Sequence, residues 1–221
     1  MSELPLFPLG TVLFPGVHLP LQVFEPRYVE LLRDLGRRLP PERRFGVVAL
    51  RRGNEVATGE TPELAVTGTA ARLTSIRSAA GGPTGLVLVI ESVGETRFRL
   101  DSFAAHDTPY FVGEVTWLED APADPDELAR AAAEARAAYD TFLTAAGGTP
   151  RAVDAPPERL AYEIVEAVAL PVEDRQAVLD IGDPVRRLTL VTRLLRRESV
   201  LFGGLHLMPT ERYSFGAPSQ N

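Results

Sequence analysis

The sequence predicts an α+β protein in which a small β-barrel comes first and a helical bundle follows. Residues 45–118 hold several short apolar runs separated by turn-forming residues, which is the pattern of strands. Beyond residue 124, apolar residues recur at the three- and four-residue intervals of helices. The stretch at 121–125 between them, Ala-Pro-Ala-Asp-Pro, has the composition of a linker. The expected parts are a barrel over residues 1–120, a helical bundle over 124–204 and an irregular tail over 205–221.

The first 36 residues predict two strands followed by a helix. Apolar residues alternate with turn formers, and residues 19–23 have the period-two alternation of a half-buried strand. Pro26 suits the first helical position, because its missing N–H would be unbonded there in any case. Val29, Leu32 and Leu35 then follow at helical spacing, which predicts one early helix.

The remaining strands of the barrel are expected from short apolar runs. We expect a tight turn at Gly94-Glu95, between two of these strands, because the pair interrupts the apolar pattern. Several short strands at this spacing, together with one early helix, are typical of a closed or partly closed small barrel. The predicted strands occupy residues 45–50, 64–76, 85–90, 96–100 and 110–118.

The helices of the second part are predicted by their start signals. Asp124 is a suitable N-cap and Pro125 suits the first helical position, so a helix is expected from there towards Gly147. Asp183 and a following proline predict the start of a long helix with a wide apolar surface. Two shorter helices are expected in between, one beginning near residue 157 and one over 173–180.

Composition excludes several classes of protein. The chain has no cysteine, which rules out thiol catalysis, disulfides and cysteine-based zinc sites. Neither a signal-peptide pattern nor an apolar run long enough to span a membrane is present, so we expect a cytoplasmic protein with no membrane partner. The net charge of −7 repels nucleic acid unless basic residues cluster, so nucleic acid is not the favoured partner.

The opening residues carry a resemblance to a known family. They read Pro-Leu-Phe-Pro-Leu-Gly at 5–10, Val-Leu-Phe-Pro-Gly at 12–16 and Leu-Gln-Val-Phe-Glu-Pro-Arg-Tyr at 21–28. The chain resembles the N-terminal substrate-binding domain of Lon proteases, in the form found as a stand-alone bacterial protein, and the resemblance covers residues 4 to about 203. It implies a PUA-like pseudo-β-barrel and a role in engaging unfolded polypeptide during protein quality control.

The sequence supports no catalytic role. All 23 Lys+Arg residues are arginine, so these residues hold neither a P-loop lysine nor the serine–lysine pair that the resemblance associates with Lon peptidase activity. No serine lies in a GxSxG-like turn. His18, His106 and His206 are far apart in the sequence, so no metal site is expected. We therefore expect a non-enzyme without a cofactor.

The candidate binding residues lie in the opening stretch. The apolar loop at 13–17 is either packed under the first helix or exposed as a contact surface, and the sequence leaves both alternatives open. The segment 25–28 either forms a fixed corner before the helix or contacts a ligand directly. The candidate peptide-binding residues are Leu13, Phe14, Val17, Glu25, Arg27 and Tyr28.

We expect a non-catalytic module that binds unfolded or extended polypeptide, or a dedicated protein partner. Extended peptides bind at a sheet edge or in an apolar groove, and the prolines of the first strands favour a groove. We expect it between barrel and bundle, or around Phe14 and the tail. Two alternatives stay open. A PUA-like barrel suggests RNA binding by analogy of fold, and a pocket in either part would suit a small regulatory molecule.

Overall fold

The structure is a computed structural model that describes residues 2–52, 62–80, 86–105, 107–149 and 151–205. The described residues form seven strands and five α-helices, so the protein is a mixed α/β protein. The expected tail, with His206, and the expected loop histidine His106 lie outside the described residues. None of the described helices is long and apolar enough to cross a lipid bilayer.

The chain divides into two compact units. The sheet unit comprises residues up to Asp120 together with Ala169–Gly182, and the helical unit comprises Ala121–Val168 and the residues from Asp183 onwards. This differs from the division expected from the sequence, because the segment that holds the short fourth helix joins the sheet unit. Helical periodicity identifies such a helix but carries no information about which surface it packs on.

The sheet unit is built on strands whose pairing closes on itself. β3 pairs with β5, β5 with β6, β6 with β7, and β7 with β1, all antiparallel. β1 also pairs in parallel with β3, which completes the ring, while β2 pairs with β6 and β4 with β3. The strands are β1 Ser2–Leu9, β2 His18–Val23, β3 Arg44–Arg52, β4 Glu63–Leu64, β5 Thr67–Ala80, β6 Leu86–Ala104 and β7 Val112–Leu118.

The helices begin where the sequence predicts. The Asp124 side chain accepts hydrogen bonds from the N–H groups of Asp126 and Glu127, so it caps α2. The Asp183 side chain does the same at the start of α5. The helices are α1 Pro26–Gly36, α2 Pro125–Ala145, α3 Pro157–Ala167, α4 Val172–Asp180 and α5 Pro184–Leu205, with a short 3₁₀ turn at Pro40–Glu42.

The tight turn expected at Gly94-Glu95 is wrong. β6 runs without a break from Leu86 to Ala104, and Gly94 lies opposite Ala71 of β5. Glycine is needed there for another reason. A β-carbon on Gly94 would overlap the backbone carbonyl of Phe14, so the residue allows the opening loop to approach the strand closely.

Each unit has its own core. In the sheet unit, Phe98 is fully buried among Leu6, Val48 and Val115. In the helical unit, the fully buried Arg187 donates from Nη1 to the Glu158 carbonyl and lies over the ring of Tyr162. The other fully buried side chains of the helical unit include Leu160, Ile164, Val165, Leu188, Val191 and Leu195.

α4 is attached to the sheet unit by side chains that donate to backbone carbonyls. Arg175 Nη2 donates to the Val12 carbonyl at 3.1 Å, and Gln176 Nε2 donates to the Thr67 carbonyl at 3.0 Å. From the sheet, Arg97 Nη1 donates to the Leu179 carbonyl at 2.9 Å. Since the last carbonyls of a helix lack partners within the helix, the Arg97 guanidinium satisfies one of them and suits the negative end of the helix dipole.

Arg97 is the buried member of this attachment. Its side chain is only 4% exposed, and its Nη2 also donates to Asp120 Oδ1 at 2.7 Å, next to the end of the sheet unit. A buried charge is stable only when it is paired and hydrogen-bonded, and Arg97 has both kinds of partner. The residue therefore fixes the C-terminal end of α4 to β6.

Replacing Arg97 with alanine should lower the free energy of unfolding by about 3 kcal/mol, because it leaves a cavity and removes two charge-assisted hydrogen bonds. The amides of α4 should also exchange with deuterium faster than those of the other sheet-unit elements. Arg99→Ala is the matched control: Arg99 lies on the same strand, 55% exposed, and pairs with Asp101 at the surface. Denaturant unfolding measures the free energy of unfolding of each variant, and hydrogen exchange measures the protection of the α4 amides. Equal losses for the two variants would show that Arg97 has no special role.

Candidate functional site

The apolar loop that the sequence singled out is packed inside the sheet unit. Leu13, Phe14 and Val17 are buried, and Phe14 has no exposed surface. The Thr69 hydroxyl donates to the Leu13 carbonyl at 2.7 Å, and the Arg175 guanidinium lies 5.0 Å from the centroid of the Phe14 ring. Residues 13–17 are therefore packed rather than exposed, and the contacts above are to Thr69 of β5 and Arg175 of α4 instead of the first helix that the sequence suggested.

The same loop is bonded to β6 through backbone groups. Gly16 N–H donates to the Gly94 carbonyl at 2.7 Å, and Gly94 N–H donates to the Val17 carbonyl at 2.9 Å. Gly16 has a φ of 82°, a left-handed conformation that glycine adopts without strain. These two backbone hydrogen bonds attach the opening loop to β6.

The segment at the start of α1 is partly accessible. Glu25 is the N-cap of α1, and Arg27 Nε donates to its Oε2 at 3.0 Å. The Arg27 guanidinium lies 4.4 Å from the centroid of the Tyr28 ring, and Tyr28 is buried and stacked on Phe7 at 4.0 Å. The side chains of Glu25 and Arg27 are 21% and 17% exposed. Arg27 lines a recess of about 430 Å³ along α1, and Glu25 lies directly before this helix.

α1 is also held by Tyr110. The Tyr110 hydroxyl donates to Asp34 Oδ2 at 2.7 Å. Burial, and then the hydrogen bond to the Asp34 carboxylate, raise the pKa of Tyr110 to about 12. The hydroxyl therefore remains a neutral donor at physiological pH and connects the segment before β7 to α1.

Four of the six candidate binding residues, Leu13, Phe14, Val17 and Tyr28, are thus buried, and only Glu25 and Arg27 reach the surface. Direct contact between any of them and a polypeptide stays a prediction. Burial removes the accessibility that such contact needs, because a side chain without exposed surface can contact a ligand only if the loop moves. The structure indicates an architectural role for the buried four.

A different surface of the sheet unit has the form of a binding site. A groove of about 720 Å³ lies between α4 and the β3–β4 pair, and we call it the α4 groove. Its apolar lining includes Ala49, Ala65, Val66 and Ala177. Ala49 and Ala65 are buried, whereas Val66 is 55% exposed.

Polar groups surround the apolar lining of the α4 groove. Asp180 Oδ1 accepts a hydrogen bond from Gln176 Nε2 at 2.8 Å, and Gln176 Oε1 is buried without a hydrogen-bond partner among the described residues. The charged residues of the lining are Arg51, Glu63, Glu173 and Asp180. An apolar base with a charged rim suits recognition of a flexible chain, since apolar contacts contribute affinity and polar groups fix orientation.

The described lining of the α4 groove contains no hydroxyl or imidazole side chain. Its described residues include no serine, threonine, histidine or tyrosine that would act as a nucleophile or base. In the described part of the chain no three histidine or acidic side chains converge in a way that would hold a metal ion.

Comparison with known proteins identifies the family. The family described as the ATP-dependent protease La (LON) substrate-binding domain matches residues 3–197. The chain belongs to this family.

Relatives of this Lon domain chain include whole proteases. Lon protease 2 of Myxococcus xanthus is 30% identical over 204 residues, which is 88% of this chain and 24% of the relative. The Lon protease of Anaeromyxobacter dehalogenans is also 30% identical, over 89% of this chain and 23% of its own length. The chain therefore spans about a quarter of the length of these curated relatives.

Solved structures of Lon N-terminal domains resemble the fold. The Lon N-terminal domain protein from Xanthomonas campestris has a TM-score of 0.60 at 31% identity, with coverage of 89% of this chain and 98% of that chain. The N-terminal domain of a Mycobacterium avium complex Lon protease has a TM-score of 0.57 at 17% identity, covering 93% and 100%. The second likeness concerns the fold alone.

The α4 groove is not predicted by the sequence. Its residues come from four separate parts of the sequence, around Gly10, 49–51, 63–66 and 172–180, and only the folded sheet unit brings them together. The sequence carries no evident signal for the groove, because Val66 belongs to the apolar run at 64–66 and reads as a strand residue. The helix over 173–180 was predicted, but its attachment to the sheet unit was not.

We expect Gly94→Ala to destabilise this Lon domain by about 3 kcal/mol, because the new methyl group would force the opening loop away from β6. Gly36→Ala is the matched control, since a β-carbon there meets nothing within 4 Å. That substitution should leave stability unchanged or raise it by up to about 1 kcal/mol. Thermal unfolding compares the two. A Gly94→Ala variant as stable as the Gly36→Ala variant would contradict the packed loop.

Proposed function

We propose that this chain is a non-catalytic polypeptide-binding module and that the α4 groove is its binding surface. The observation that carries the proposal is an open groove with both apolar and charged lining residues, in a chain whose family is described as a substrate-binding domain. The occupant is an unfolded or extended polypeptide, or an extended segment of a dedicated protein partner. The role in protein quality control and the cytoplasmic location belong to the same proposal.

The proposal that this chain is not an enzyme fits its amino-acid composition. The 221 residues contain no lysine, so they supply neither a P-loop lysine nor a serine–lysine pair. We further propose that the closed ring of β1, β3, β5, β6 and β7 is the PUA-like pseudo-barrel implied by the family resemblance. In this proposal the barrel is a scaffold, and α4 and β4 supply the surface that binds.

The α4 groove would bind an extended chain through side chains rather than through strand pairing. β4 consists of two residues, Glu63 and Leu64, which is too short an edge to pair with a long segment. Apolar side chains of the polypeptide would instead cover Val66 and Ala177 and reach the base at Ala49 and Ala65. Burying an exposed valine in this way gains free energy roughly in proportion to the apolar area removed from water.

Replacing Val66 with aspartate should weaken binding of a permanently unfolded, labelled polypeptide about tenfold, because a charge would face the apolar side chains of the occupant. The fold should be unaffected, since Val66 is 55% exposed. Fluorescence anisotropy measures the affinity and circular dichroism checks the fold. Val200→Asp is the control, an identical substitution at an exposed valine of α5, and it should bind as the unaltered chain does.

The same assay separates the alternatives. A folded protein and a labelled RNA serve as competing probes. If RNA bound best, with an affinity that fell steeply with salt, the RNA-binding alternative would replace the polypeptide proposal. If unfolded polypeptide bound equally to the unaltered chain and to Val66→Asp, the proposal would lose its site and the search would move to the recess beside Glu25 and Arg27.

A further inference from the structure

The described lining of the α4 groove is negatively charged overall. Three carboxylates, those of Glu63, Glu173 and Asp180, line it together with one guanidinium, that of Arg51. The acidic residues are distributed on both walls, with Glu173 and Asp180 on α4 and Glu63 on β4. The described lining therefore carries an excess of negative charge around its apolar centre.

The uncharged polar side chain in the described lining of the α4 groove is that of Gln176. Gln176 Nε2 already donates to the Thr67 carbonyl and to Asp180 Oδ1, which fixes the orientation of the amide. Its Oε1 is left buried with no hydrogen-bond partner in the described part of the chain. The Gln176 amide is therefore held within the protein, and the acceptors that a ligand can reach on α4 are the exposed carboxylates of Glu173 and Asp180.

We propose that the α4 groove prefers polypeptide segments in which an arginine or lysine lies beside an apolar residue. This inference rests on the proposed function, because it assumes that the groove binds polypeptide. The apolar side chain would cover Val66 and Ala177, and the cation would face Glu173 and Asp180. Carboxylates are acceptors, whereas guanidinium and ammonium groups are only donors, so the two sets of groups are complementary.

The same charges should also disfavour acidic polypeptide segments. A segment with glutamate or aspartate facing Glu173 and Asp180 would bring like charges together, and like-charge contacts disfavour the wrong partner. The groove would thus discriminate among unfolded segments by charge, whereas apolar contact alone would accept them all. The strength of this discrimination should fall as salt screens the charges at the rim.

The test uses three short labelled peptides with one apolar core, flanked by arginine, by glutamine or by glutamate. Anisotropy with the full chain should give the tightest binding for arginine and the weakest for glutamate, with about a tenfold difference between these two at low salt. Added salt should reduce the difference. The glutamine peptide separates the apolar contribution from the charge contribution.

Charge-neutralising variants locate the effect. Glu173→Gln should reduce the preference for the arginine peptide by up to about fivefold, as expected for a partly exposed ion pair. Glu42→Gln is the matched control, because Glu42 is an exposed acid of the 3₁₀ turn outside the groove. Both substitutions are at exposed positions, and circular dichroism checks that both variants fold.

The outcomes distinguish this inference from the proposed function. Equal affinity of the three peptides, abolished by Val66→Asp, would overturn the charge preference and retain the apolar groove. A preference for arginine that Glu42→Gln removes as fully as Glu173→Gln would also overturn the inference, because it would reflect the net charge of −7 alone. Binding of none of the peptides, nor of unfolded polypeptide, would overturn both proposals.

Discussion

The attachment of α4 to the sheet unit is the interaction on which the candidate site depends. Arg97, Arg175 and Gln176 each donate to a backbone carbonyl across this contact, so it is specified by hydrogen-bond geometry as well as by apolar packing. Without it, the β3–β4 pair would present a short edge and an exposed valine but no second wall. The groove therefore exists because one short helix, distant in sequence, is bonded to loops and strands near the N-terminus.

The opening stretch has a complementary role in the same unit. Its loop packs Phe14 beneath Arg175 and bonds to β6 through Gly16 and Gly94, so the most distinctive sequence motif of the chain contributes structure. A motif that is long and specific invites interpretation as a binding site. In this Lon domain a left-handed backbone conformation accounts for Gly16, and complete burial accounts for Phe14.

Local sequence signals predicted where the helices begin. The candidate site, in contrast, is formed by contacts between residues that are far apart in the sequence. Asp124, Asp183 and Pro26 mark helix starts because caps act within one turn, so their meaning is readable in the sequence. Gly94 was misread as a turn, since its partner is a carbonyl eighty residues away in the chain. The α4 groove was not predicted for the same reason: its walls are brought together only by contacts that no periodicity encodes.

The most direct test of the account is to map where a permanently unfolded polypeptide contacts the ¹⁵N-labelled chain by amide chemical-shift changes. The account predicts saturable changes that concentrate in α4 and at residues 63–66, with the buried loop at 13–17 little affected. Changes confined to the start of α1, or to the helical unit, would contradict the assignment of the α4 groove as the binding surface.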